Sequence, residues 1–149
     1  MIIRQAAPND AEQLKSLYFE HLTSFPPTEE QNMQSWRDLI QYFHDDDFIK
    51  LLICEVDGKV VSSVHVTVIK NLTHNLRPYA VIENVVTHAD YRCNGYASAL
   101  LSEATEFAKK HNCYKVFLET GSNKESTLNF YKNNGFAIDA KHSCLKRLQ

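Results

Sequence analysis

The chain has 149 residues, which suits one domain with an ordinary hydrophobic core and leaves little room for a second. Its make-up of 44% hydrophobic and 23% charged residues, with four glycines and four prolines, excludes the fibrous and disordered classes. A net charge of -2 and a pI of about 6.4 lack the basic excess of phosphate-gripping proteins, which counts against nucleic acid as the main partner.

Met1 to Gln5 reads as a short strand. Asp10, with Gln13 beyond it, has the spacing of a helix cap, and Leu14, Leu17, Tyr18, His21 and Leu22 follow at helical period. After Pro26 and Pro27, Thr28 and Gln31 offer a second cap, and Met33, Trp36, Leu39, Ile40 and Phe43 form an apolar stripe. Phe48 to Val56 and Val60 to Ile69 are β-rich runs joined through Asp57-Gly58, a hairpin signal. Asn71 to Pro78 reads as a loop, and Tyr79 to Thr87 as a third strand.

A long helix follows Arg92 to Ala97, with Ala97, Leu100, Leu101, Ala104 and Ala108 along one face and Lys109 and Lys110 in its last turn. Tyr114 to Thr120 is a further strand. Ser122 and Glu125 have capping-box spacing before a helix that stops at Asn134-Gly135. Phe136 to Leu148 can supply one or two closing strands. The order β-α-α-β-β-β-α-β-α-β implies a mixed sheet with helices on its faces, in one domain over residues 1–149.

Four cysteines, at 54, 93, 113 and 144, form no Cys-x-x-Cys pair, so zinc-ribbon and thioredoxin-like readings lack support and no metal is expected. Met1 to Ala7 runs straight into folded-looking sequence with Arg4 inside it, so no secretory leader is expected. Reduced thiols in a cytoplasmic protein are the simplest reading. No apolar run approaches the roughly 20 residues of a membrane span.

The chemistry concentrates in Val85 to Ala97, V-V-T-H-A-D-Y-R-C-N-G-Y-A. A strand ends, a turn follows, and a helix opens at a glycine. Such a junction leaves backbone N–H groups unpaired at the positive end of a helix dipole, which is an anion site. Gly95 and the small Ala97 let a bulky anion approach the backbone. The plainer reading is that Gly95 only eases the turn. The segment lacks both the Gly-Lys-Ser/Thr of a P-loop and the three-glycine dinucleotide spacing.

R-C-N-G-Y-A resembles the Arg/Gln-x-x-Gly-x-Gly/Ala signature of the GNAT N-acetyltransferase superfamily. Asn129 to Phe136, N-F-Y-K-N-N-G-F, resembles the second signature of that family, an aromatic-Tyr pair followed by Gly-Phe. The resemblance is firm over Tyr79 to Phe136 and matches in layout from residue 1. It implies a central mixed, mostly antiparallel sheet of six to seven strands flanked by about four helices. It also implies transfer of an acetyl group from acetyl-CoA to a primary amine by direct attack in a ternary complex.

Carried onto this chain, the resemblance puts the CoA pyrophosphate on Arg92, Cys93, Asn94, Gly95, Tyr96 and Ala97. The pantetheine arm would lie beside Asn84, Val85 and Val86, with a backbone N–H near Val85 or Val86 on the thioester oxygen. Tyr131 would protonate the departing thiolate. Cys93 and Asn94 stand where many members have glycine or a basic residue, and Lys124 stands where many have Asn; Asn123 or Lys124 could still touch the cofactor.

Independently of the family, a phenol titrates near about 10 and a thiol near about 8.5, so Tyr131 can hand a proton to a thiolate at pH 7. The competing reading is a core tyrosine beside Phe130 and Leu128. Only about one alkyl ammonium in a thousand is neutral at pH 7, so the acceptor needs a base or a water chain. Glu83, inside V-I-E-N-V-V, and Glu119, inside V-F-L-E-T, are the candidates, with Glu83 ahead because its strand borders the cofactor. His65 and His88 are further options, more often structural at such positions.

His44 to Asp47 lacks calcium-loop spacing, and Lys141, His142, Lys146 and Arg147 read as a solvated terminal strand. A non-catalytic CoA-binding sensor is the rival reading, distinguished by binding without thiol release; a nucleic-acid-associated module is a third. Tyr18, His21, Phe25, Trp36, Tyr42, Phe43 and Arg77 suit an anionic small-molecule acceptor, with amino acids, amino sugars, polyamines and protein amines all open. Dimerisation is common in the family, and no residue here demands a homodimer.

Overall fold

The computed structural model describes residues 1–148. Five strands, β1 (Ile2–Gln5), β2 (Ile49–Val56), β3 (Lys59–Ile69), β4 (Tyr79–Thr87) and β5 (Val116–Leu118), lie side by side in chain order. The first three pairings are antiparallel and β4–β5 is parallel. The β2–β3 turn holds Asp57 at φ 50° and Gly58 at φ 78°, the left-handed pair that a tight two-residue hairpin requires.

α1 (Ala11–His21) and α2 (Met33–Asp45) cover one face of the sheet, burying Leu14, Leu17 and Ile40 against Leu51, Ile53, Val60 and Val86. A single turn, α3 (Thr73–Leu76), links β3 to β4, with His74, Asn75 and Leu76 all at positive φ. α4 (Tyr96–Lys110) and α5 (Glu125–Asn133) cover the other face. There Leu100, Leu101, Ala104, Ala108 and Tyr131 pack on Leu52, Cys54, Val64, Val66, Ala80 and Ile82. The alternation along β3 thus reaches the two helix layers in turn, as a strand buried on both faces must.

Among the described residues the sheet has five strands, not six to seven. Phe136 to Leu148 adds no strand: Phe136 and Ile138 reach the core, but Asp139 to Ser143 carries no large apolar side chain to bury, and Leu145 and Leu148 point to solvent. β5 is also shorter than Tyr114 to Thr120, because β4 bends away from it after Ile82.

The helix starts differ too. Asp10 does not cap α1 through its side chain; its carboxylate reaches back to accept from Ala7 N–H at 2.8 Å and from both Arg4 terminal nitrogens at 2.7 and 2.8 Å. Burial pushes that carboxyl up, and the bonds to Arg4 and Ala7 more than offset it, holding it below its ordinary value. Gln13 instead accepts from Val60 N–H at 2.8 Å. α2 is capped by Asn32, which accepts from Ser35 N–H at 3.1 Å, so Thr28 and Gln31 lie ahead of it. α5 starts after Lys124 with no side-chain cap, and Ser122 Oγ accepts from Lys124 N–H instead.

Candidate active site

The site is built by β4 parting from β5. Their last paired rung is Ile82 with Leu118. From Glu83 to Thr87, β4 keeps β3 on one side and has no paired strand on the other. Within that stretch the register with β3 slips: Ser63 faces Val86, while His65 faces Glu83, so β4 carries one extra residue. Asn84 takes the strain at φ 53°. Such a bulge bends its strand and re-aims the residues beyond it. Val85 now packs toward the α4 side and Val86 toward α1. The result is an open strand edge inside the molecule, free to pair with an extended ligand.

Beyond Thr87 the chain makes a short helical turn, Ala89–Tyr91, capped by His88 Nδ1 on Asp90 N–H at 3.2 Å. Arg92 Nε donates to Thr87 O at 3.3 Å, and Asn94 Nδ2 donates to the carbonyls of Tyr91 and Arg92 at 3.0 Å each. These bonds hold a loop in which Cys93 sits at φ 62° and Gly95 at φ 80°. The first bond of α4 runs from Ala99 N–H to Gly95 O. The N–H groups from Cys93 to Ser98 therefore have no acceptor among the described residues, and they lie at the positive end of a 15-residue helix. A Cβ at Gly95 would meet nothing within 4 Å, so the glycine answers to its positive φ and to open space beside it rather than to protein packing.

One cleft of about 460 Å³ joins these parts. Val85, Val86 and Thr87 form one wall, the loop from Tyr91 to Ser98 the end, and Ser126, Thr127, Phe130 and Tyr131 of α5 the opposite wall, with His21 at the rim. Of the residues singled out from sequence, the cleft gathers Val85, Val86, Arg92, Cys93, Asn94, Gly95, Tyr96, Ala97 and Tyr131. Asn84 is the bulge itself and is exposed. Asn123 and Lys124 sit just before α5, exposed and outside the lining. Ser126 and Thr127 were missed, although the signal was present: Thr127 lies one helical turn before Tyr131 and Ser126 one turn before Phe130.

Tyr131 is almost fully buried, with Phe130 at 5.0 Å and Phe136 at 6.0 Å between ring centres. Burial pushes its phenol above the ordinary value, so it stays protonated across the neutral range. Glu83 and Glu119 each lie one residue beyond the last β4–β5 rung, and both are exposed. Glu83 stands opposite His65, whose ring rests 4.8 Å from that of Phe43. Burial pushes the His65 imidazole down, so it is neutral at pH 7. His88 is engaged structurally: it caps the turn, its ring lies tilted against that of His21 with centres 4.2 Å apart, and it meets Lys59 Nζ at 3.2 Å. Arg77, a candidate acceptor contact, spends its guanidinium on the carbonyls of Asn112 and Cys113 at 3.1 and 3.0 Å. Phe25 and Tyr42 point to solvent. All four cysteines are free, and no cluster of three potential metal ligands occurs among the described residues. No helix there is long and apolar enough to cross a membrane.

The site thus joins a forked mixed sheet, an unpaired helix start and a buried phenol across one cleft. Residues 13–136 match the acetyltransferase (GNAT) family. A solved structure from Agrobacterium tumefaciens str. C58, named as an acetyltransferase, superposes with a TM-score of 0.88 at 32% identity, covering 99% of this chain and 100% of that one. An uncharacterised N-acetyltransferase of Methanocaldococcus jannaschii is 29% identical over 136 residues, 90% of this chain and 59% of that protein's length. A glucosamine 6-phosphate N-acetyltransferase of Trypanosoma brucei brucei is 28% identical over 116 residues, 78% of this chain and 76% of its own. The chain belongs to the GNAT acetyltransferase family.

Proposed function

We propose that this chain is a single-domain N-acetyltransferase moving an acetyl group from acetyl-CoA to a primary amine, by direct attack in a ternary complex and without metal or covalent enzyme intermediate. The observation that carries the reading is the continuity of one cleft from the unpaired N–H groups of Cys93 to Ser98, along the open edge of β4, to Tyr131. Pyrophosphate fits the N–H cradle with the α4 dipole behind it. Asn123 and Lys124 would approach the cofactor from the entry of α5. The amide-rich pantetheine arm fits the edge at Asn84, Val85 and Val86 as an added strand.

The amine nitrogen forms a bond to the acetyl carbon, and the thioester oxygen gains charge. An N–H of Val85 or Val86 stabilises that oxyanion. Glu83, with Glu119 the alternative, takes the proton shed by the amine, directly or through water. The carbon–sulfur bond breaks and Tyr131 protonates the thiolate. The net charge of -2 favours a small amine or peptide over nucleic acid as partner, and the free cysteines suit the reducing cytoplasm.

The test is calorimetric titration of acetyl-CoA into the wild type and Gly95→Glu. The wild type should bind, and the variant should lose at least about 100-fold in affinity, since the carboxylate sits where the pyrophosphate belongs and a side chain at positive φ adds strain. A folded wild type that does not bind acetyl-CoA would overturn the reading.

A further inference from the structure

β3 reads K-V-V-S-S-V-H-V-T-V-I, a β-branched run interrupted at its centre by two serines, both fully buried. A buried hydroxyl is costly unless it is bonded, and either position would accept an apolar residue if only packing mattered. Both hydroxyls act on or beside one short piece of β4. Ser62 Oγ donates to the Val86 carbonyl at 2.7 Å. Its single proton is thereby used, so Thr87 Oγ1, at 2.8 Å, must donate back to it. Ser63 stands directly opposite Val86 in register, and its Oγ lies 3.1 Å from the Tyr18 hydroxyl on α1.

The serines also sit between two irregularities. On one side β3 carries an extra residue against β2, between the rungs Cys54–Ser62 and Glu55–Val60. On the other, β4 carries its extra residue at Asn84–Val85. His88 N–H, bonded to Val61 O at 2.9 Å, closes the pairing beyond. A bulge is a place where register can slip, and a slip of one residue would exchange the faces of Val85 and Val86. Ladder bonds alone resist that weakly; side-chain bonds to a particular carbonyl and hydroxyl resist it because they exist in one register only.

We infer that Ser62, together with the Ser63–Tyr18 pair, is a positioning clamp that pins Val86 to β3 beside the β4 bulge and so aims the Val85 N–H group into the cleft. The clamp rests on the proposed role of that N–H group at the thioester oxygen. It acts through the backbone and touches neither substrate. The cradle of N–H groups at Cys93 to Ser98 is not in contact with the serines, so loss of the clamp lowers turnover more than cofactor grip.

The experiment uses the whole chain and three variants: Ser62→Ala, Ser62→Thr, which restores the hydroxyl, and Tyr18→Phe, which keeps the ring and removes its oxygen. Amide hydrogen exchange is read over Asn84 to Thr87, alongside kcat and acetyl-CoA affinity. Ser62→Ala should speed exchange in that segment alone and lower kcat about 10-fold, with acetyl-CoA affinity weakened by a clearly smaller factor, and Ser62→Thr should restore both. Tyr18→Phe should move the same way by a smaller factor. Unchanged exchange at Asn84 to Thr87 overturns the clamp, and this arm is decisive even if no acetyl transfer is found, so the two proposals fail separately. Faster exchange there with kcat unchanged overturns its role in aiming the Val85 N–H group.

Discussion

β4 is two strands in one. From Ala80 to Ile82 it is paired on both sides, and Ala80 and Ile82 are sealed in the core. From Glu83 to Thr87 it is paired on one side, kinked by a bulge, and bordered by a cleft. The first half satisfies every rule of a buried central strand; the second breaks them with a charged residue, a left-handed Asn and an open edge. Local rules fail where a fold makes room for chemistry, and here the break falls within a single strand.

That contrast can be tested by hitting each half separately. The largest effect should come from the first: Ile82→Ala removes a fully buried side chain and should cost about 3 kcal/mol in denaturant unfolding, with kcat of the folded enzyme little altered. A matching loss of kcat would show that the two halves are not separable. Across the second half, Tyr131→Phe preserves the ring packing and removes the proposed proton donor. Turnover should fall about 100-fold while stability and acetyl-CoA affinity hold; unchanged turnover would remove Tyr131 from its role.

Glu83→Gln should lower kcat/KM about 10-fold, and Glu119→Gln by less, because Glu83 lies on the strand that borders the cleft. The reverse ranking would move the base to β5. The smallest effect concerns pH. The proposed role needs Tyr131 protonated, and burial raises its pKa, so an alkaline fall in kcat from this group should appear only above about pH 10. A limb well below that pH, lost in Tyr131→Phe, would contradict the burial.

Much of this was legible from sequence because it rests on local chemistry. Asp57-Gly58 specified its hairpin, the β-branched run from Tyr79 to Thr87 specified β4 to the residue, and the helix start at Gly95 specified the unpaired N–H groups. Helix caps were less legible. Asp10 has the right chemistry for a cap, but Arg4, six residues earlier, offers its carboxylate a stronger partner. One or two closing strands were expected over Phe136 to Leu148, but that stretch has too little apolar side chain to bury and forms none among the described residues.

By itself the amino-acid order determined most element types, the turn with its unpaired N–H groups and the tyrosine helix, since each depends on neighbours a few residues apart. Tertiary structure alone decided that β4 forks from β5 after Ile82, that a bulge at Asn84 turns Val85 and Val86 to opposite faces, and that two serines and a tyrosine from β3 and α1 surround that bulge. Those features depend on register between strands far apart in the chain. A one-residue difference in register leaves no mark in composition or periodicity, yet it sets which atoms face the cleft.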